Sequence, residues 1–193
     1  MTPPNPRRAP APVRRALALG VLAALALAAG CTPERHYGPT PTYYDSWSPE
    51  QEAQAVAGAE QAIRDWMHVK AQCLVDPPNT DPSCFDQVDV DTARTNDRAM
   101  LQYAQDNGVR YVGEATYVQT EKVVKVDLSI GPDKEVQLVG CQSLSDFDII
   151  QVDGTSALPS DWPRRQRSIF VVRKHADKWQ LADIQEDPEG SEC

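Results

Sequence analysis

The hydrophobic period of this chain changes once, at Asn107-Gly108, and that change limits the folds open to it. Before it, apolar residues recur at helical spacing. Ser48 is a capping residue, Pro49 suits the first helical position, and Gln51 completes a capping box. Val56, Ala59, Ile63, Trp66, Met67, Cys73 and Leu74 then fall on one side at about 100° per residue, which predicts an amphipathic helix of about 25 residues. A second, shorter helix is expected from Asn96 to Asp106, with a stripe of Ala99, Met100, Tyr103 and Ala104. Gly108 suits the left-handed residue that ends it. After Gly108 the period is two. Val109 to Gln119 reads as a strand. Val124, Val126, Leu128 and Ile130 alternate with Lys125, Asp127 and Ser129 as a half-buried one. Gly131-Pro132-Asp133-Lys134 is a turn, and Val136 to Gln142 returns. Ser168 to Lys174 and Trp179 to Ile184 form a last pair about the turn His175-Ala176-Asp177-Lys178. Helices first and strands after is the α+β class: a long N-terminal helix and a short helix packed on a curved, mainly antiparallel sheet of about five strands.

The start of the chain is unlike the rest. Arg7, Arg8, Arg14 and Arg15 are its only charges, an apolar run follows from Ala16 to Ala29, and small residues lead into Cys31. The run has the length of a secretory signal core and is too short to span a bilayer as a stable helix. Leu27-Ala28-Ala29-Gly30-Cys31 resembles the lipobox of bacterial lipoproteins, with Ala28 where Leu, Val or Ile is commoner. That resemblance implies cleavage before Cys31 and a two-chain lipid on its thiol, enough for stable attachment where one acyl chain is marginal. The other reading is an ordinary signal peptide with an incidental cysteine. Ala16-Leu17-Ala18 after Arg14-Arg15 is a poor match to twin-arginine export. The expected organisation is a signal peptide over 1–30, the lipidated cysteine and a tether over 31–47, and one α+β domain over 48–193. The tether has Pro33, Gly38, Pro39 and Pro41 and no regular period. Of its aromatic residues Tyr37, Tyr43, Tyr44 and Trp47, the last are read as beginning to pack on the domain; the other reading is an interfacial belt near lipid headgroups.

The chain carries 19 basic and 28 acidic side chains, and four of the basic ones precede Cys31. The 163 residues from Cys31 onward therefore hold 15 against 28, a net charge of −13, which argues against nucleic acid and against polybasic docking on anionic lipid. Cys73, Cys84, Cys141 and Cys193 remain, an even number that reads as disulfides in an exported protein. Of three possible pairings, Cys73 with Cys84 would close a Pro-rich loop. Cys141 with Cys193 would tie down a tail, Glu186 to Cys193, that has little else to hold it. A zinc site is the competing use, but no C-x-x-C pair exists, and no metal site or cofactor is expected.

The folded part resembles the nuclear-transport-factor-2-like, or cystatin-like, fold found in exported actinobacterial lipoproteins. The residues that carry the resemblance are the long first helix, the meander ending in Lys178-Trp179-Gln180-Leu181-Ala182-Asp183-Ile184, and Cys141 with Asp146 and Asp153-Gly154 after it. It implies a cone whose helix packs into the concave sheet and leaves a pocket. Enzymes of this fold, such as isomerases and cyclases, place Asp, His or Tyr there.

The residues offer little such chemistry. His36 is in the tether, His175 in a turn, and His68 lies about 150° from the centre of the helix stripe, toward solvent. Lys70 falls inside the stripe, where a lysine must snorkel, find a carboxylate or line a cavity. Trp66, Lys70, Tyr103 and Tyr111 are the candidate pocket residues, and Tyr117 could also reach it. Asp146, Asp148 and Asp153, like Glu186, Asp187 and Glu189, read as solvated loop charges. No catalytic residue is assigned, and no G-x-S-x-G, P-loop or H-E-x-x-H motif occurs. The expected role is a membrane-anchored envelope lipoprotein, a non-catalytic module binding an envelope protein or a small apolar ligand. The alternative is a small isomerase or cyclase using an Asp and a Tyr. An open pocket with a buried Asp facing a Tyr would favour the enzyme. A pocket filled by Trp66, Met67 and Phe170 would favour the module.

Overall fold

The computed structural model describes residues 47–129, 134–190 and 193. The leader, Cys31, the tether before Trp47, Ile130 and the turn Gly131-Pro132-Asp133 lie outside the described residues. Helix α1 spans Pro49–Leu74 and begins as its capping signals require: Gln51 N donates to Ser48 Oγ at 3.3 Å, and Ser48 N to Gln51 Oε1 at 2.8 Å. Its buried side carries Ala55, Ala59, Ala62, Ile63, Trp66, Met67, Cys73 and Leu74. Two 3-10 turns follow, Pro77–Asn79 and Pro82–Phe85, and the second buries Phe85 completely.

Helix α2 spans Asp91–Asn107, starting five residues before the expected Asn96. Gly108, at φ 66°, ends it in the left-handed region. Its N-cap is Val90, which has no side-chain acceptor, so the sequence carries no start signal there. The earlier start also turns the stripe. Ala93, Asp97, Leu101 and Ala104 are buried, whereas Ala99 and Tyr103 face solvent.

Among the described residues, six strands form two antiparallel sheets: β1 Arg110–Val112, β2 Thr116–Asp127, β3 Glu135–Ser143, β4 Asp148–Ile150, β5 Arg165–His175 and β6 Lys178–Glu186. The larger sheet runs β2-β3-β5-β6, and β1 pairs with β4. The expected strand 109–119 is thus cut in two at Gly113. That glycine has φ 72°, and a Cβ on it would lie 1.5 Å from the Asp146 carbonyl oxygen. The expected break before Val124 does not exist. Register shifts at Tyr117/Gln119, Thr120/Lys122 and Val123/Lys125 let β2 run through its polar middle, and they spoil the simple alternation. Val123 and Val124 are both exposed, at 45% and 46%, while Val126 and Leu128 pack partly on the core.

The inner face of the larger sheet presents cross-strand pairs Val136↔Val172 and Leu138↔Phe170, with Leu181 beside them, to Ala59, Ile63 and Trp66 of α1. Each such side chain contributes about 1.5–3 kcal/mol on full burial. Gly140 makes room for Tyr117, whose ring lies 2.4 Å from where a Cβ would be and meets Phe170 edge-on with centroids 5.5 Å apart. A second cluster joins Leu74, Phe85, Leu101, Ala104 and Tyr111.

Disulfides join Cys73 to Cys84 (Cα–Cα 6.1 Å) and Cys141 to Cys193 (Cα–Cα 6.0 Å). The tail is held by more than its disulfide. Asp187 is buried at 8% exposure, and its Oδ2 lies 2.8 Å from Arg167 Nε. Arg167 also pairs with Glu121 at 2.9 Å and with Glu189 at 3.1 Å. The expectation that Asp187 is a solvated loop charge is corrected accordingly. An aspartate without an apolar neighbour in sequence is buried here because a β5 guanidinium neutralises it.

Candidate functional site

Lys70 and Trp66 lie one turn apart on α1 and face α2. Lys70 Nζ sits 2.7 Å from Asp97 Oδ1, and Trp66 Nε1 donates to Asp97 Oδ2 at 2.5 Å. The same ammonium lies 4.6 Å from the centre of the Trp66 ring. Asp97 is buried at 2% exposure, so both of its oxygens are partnered away from bulk water. Such a pair contributes little net stability, but removing one partner costs about 3–5 kcal/mol because the other charge is stranded.

A second carboxylate lies behind the first. Asp89 precedes α2 on a segment that extends the sheet: Val90 N donates to Leu181 O at 2.8 Å, and Leu181 N to Val88 O at 3.0 Å. Its side chain is fully buried. Arg94 Nε donates to Oδ1 at 3.3 Å, and the Arg94 guanidinium also bonds the Asp89 carbonyl. Asp89 Oδ2 has no partner. Burial, and then the neighbouring Asp97 charge, push the Asp89 carboxyl up to about 7, against the pull of Arg94.

Beside this network is a pocket of about 200 Å³. Trp66, Met67 and Lys70 line it from α1, Met100 from α2, Tyr111 from β1, and Phe147 and Trp162 from the segments around β4. Lys70 is the charged lining residue among those described. The amides Gln142 and Gln166 also line it and are bonded to each other at 3.2 Å. Burial, then Tyr103 and Asp97, raise the pKa of the Tyr111 phenol.

Of the expected pocket residues, Trp66, Lys70 and Tyr111 meet here. Tyr103 does not: it is 56% exposed, because the stripe of α2 is turned. Tyr117 belongs to the core, where it bonds Thr120 at 2.7 Å, and Phe170 packs there too. His68 is exposed and 3.3 Å from Glu114, and His175 is exposed. Asp146 and Asp153 are exposed, whereas Asp148 sits half-buried in β4, a strand the sequence did not suggest. The residues that sequence reasoning missed are Asp89 and Asp97. The signal for Asp97 was its place in the series Ala93, Asp97, Leu101, Ala104, four, four and three residues apart.

Glu121, Cys141 and Cys193 bring ligand atoms within 4.8 Å of one another, but the two sulfurs are bonded together and offer no thiolate. No helix among the described residues is long and apolar enough to cross a membrane. No protein-family profile and no curated protein matches the chain. Among solved structures, the intermembrane-space region of the chloroplast protein ARC6 is similar at 13% identity and a TM-score of 0.46, over 67% of this chain and 95% of that one.

Proposed function

We propose that this chain is an extracytoplasmic lipoprotein, lipidated at Cys31, whose domain is a non-catalytic module for binding a small apolar ligand. The domain takes a cone-like, nuclear-transport-factor-2-like form in this account. The observation that carries the binding role is the open apolar pocket of about 200 Å³ lined by Trp66, Met100, Tyr111 and Trp162. It is below the size of drug-binding sites and suits a single ring or a short chain. The leader sequence and the two disulfides support an oxidising compartment. Toluene added to the mature chain carrying Cys31→Ser is expected to shift the methyl signals of Met67 and Met100. Ala71→Phe, which fills the pocket from α1, is expected to remove the shift. Unmoved methyl signals in the parent chain would contradict a binding role.

One observation favours the runner-up, a small isomerase or cyclase. Tyr111 lines the pocket, and Asp97 is close enough to raise its pKa. Against it, Asp97 is buried between Lys70 and Trp66 and is not among the residues that line the pocket, so it is not presented to a ligand's proton. Deuterium exchange beside the carbonyl of a small ketone at the uncatalysed rate is the expected result. Catalysed exchange that Asp97→Asn abolishes would establish the enzyme instead.

A further inference from the structure

Lys70 is the charged lining residue of a mostly apolar pocket, and its charge is already matched. An ammonium has three N–H donors and no acceptor. Asp97 Oδ1 lies 2.7 Å from Nζ, and the positive charge lies 4.6 Å from the centre of the Trp66 ring. The side chain is 20% exposed, so its remaining hydrogens are neither buried in the core nor freely hydrated. The surroundings offer an anion no unmatched positive charge. Asp97 lies against Lys70, and the fully buried Asp89 stands behind it with one oxygen unpartnered. Arg94 is occupied by Asp86 and Asp89 and does not line the pocket.

We infer that the pocket selects an uncharged ligand: a small apolar ring or chain bearing one hydrogen-bond-accepting oxygen, such as a ketone, seated on the free N–H of Lys70, with carboxylates of the same shape rejected. This rests on the binding role proposed above and adds the chemistry of the ligand's head group. A ligand anion about 3 Å from Nζ would stand about 5 Å from the Asp97 carboxylate. Since Coulomb energy falls as 1/r, it would keep only about two-fifths of the bare attraction. That remainder must offset the loss of water from a carboxylate in a lining whose only other side-chain donors are neutral, the Tyr111 hydroxyl, the Trp66 and Trp162 indoles and the amides of Gln142 and Gln166. Gln142 donates one amide N–H to Gln166 Oε1 at 3.2 Å. A carbonyl oxygen needs one donor, carries no net charge and meets no repulsion from Asp97.

Three probes of nearly the same shape separate the possibilities: acetophenone with a carbonyl, α-methylstyrene with a CH₂ in place of that oxygen, and benzoate with a carboxylate. Titrated near neutral pH into the mature chain carrying Cys31→Ser, which needs no detergent, each is followed by the indole N–H signals of Trp66 and Trp162. Acetophenone is expected to bind about fivefold more tightly than α-methylstyrene, the worth of one net hydrogen bond, and at least about tenfold more tightly than benzoate. Benzoate binding as well as acetophenone would overturn the head-group inference and leave the pocket's binding role standing. So would α-methylstyrene binding as well as acetophenone. Indole signals unmoved by all three would overturn the binding role itself.

Discussion

Replacing Lys70 with methionine keeps the side chain's length and apolar stem but removes the ammonium from Asp97. The carboxylate then remains at 2% exposure with the Trp66 indole as its sole named donor. Stranding a buried charge costs about 3–5 kcal/mol, whereas the net worth of the intact pair is small. The reverse change, Asp97→Asn, leaves a lysine whose side chain is 20% exposed and close enough to the surface to turn its ammonium to water. Its cost is about 1–2 kcal/mol, chiefly the weakened bonds to Lys70 and Trp66. The double variant carries no buried charge at this position, so it should regain about 2 kcal/mol over Lys70→Met alone. Urea unfolding near neutral pH measures all three, with an unchanged slope showing that the same surface is exposed. A Lys70→Met loss smaller than that of Asp97→Asn would refute the reasoning. A double variant no more stable than Lys70→Met would do the same.

Three more outcomes follow from other parts of the structure. Asp89 holds its proton up to about 7 when folded and to about 3.8 when free. Folding therefore retains a proton across that window, and this group's contribution to stability falls as pH rises through it and levels off above it. The neighbouring Asp97, Arg94 and Lys70 remain in Asp89→Asn, so that variant should gain stability over the parent as pH rises from about 4 to above 7. A constant difference across pH-resolved urea melts would show that Asp89 does not titrate there. Loss of the Cys141–Cys193 bond, whose ends are 52 positions apart in sequence against 11 for Cys73–Cys84, should cost about 1.4 kcal/mol more than loss of the shorter one in the chain-entropy model. Even so, the Glu189 amide, which bonds Asp187 Oδ1 at 3.0 Å, should stay protected from hydrogen exchange in Cys193→Ser until Arg167→Met is added. Free exchange in the single variant would show that the ion pair does not hold the tail. Gly113→Ala should cost about 1–3 kcal/mol from its φ of 72° alone, and more from the clash with Asp146, with thermal melting as the readout.

Helix α1 was legible almost to the residue because its cap, its proline and its apolar stripe all lie in one continuous segment. Helix α2 was legible as a helix, but its start was not, since Val90 gives no capping signal and the first turn is polar. The strand pairs β3, β5 and β6 followed from plain alternation. Strand β2 did not, because each of its bulges moves the side chains to the other face while the composition stays the same. The pocket's apolar wall was partly visible in Trp66, Lys70 and Tyr111. Its electrostatics were not. A carboxylate in a sequence is ordinarily a solvated group, and Asp89 and Asp97 are buried only because Arg94, Lys70 and Trp66 reach them from other turns and another helix. Such partnerships are tertiary: the helical spacing of Asp97 with Ala93, Leu101 and Ala104 marks its buried side, but nothing local names its partners.

The proposed location rests on lipid attachment at Cys31. The most direct measurement is the intact mass and N-terminal peptide of the wild-type chain recovered from the cell envelope. The expected result is a chain that begins at Cys31, carries a diacylglyceryl group on its sulfur and partitions into detergent, while Cys31→Ser is released or stalls as precursor. A wild-type chain with an unmodified thiol at Cys31, recovered in the aqueous phase, would contradict it.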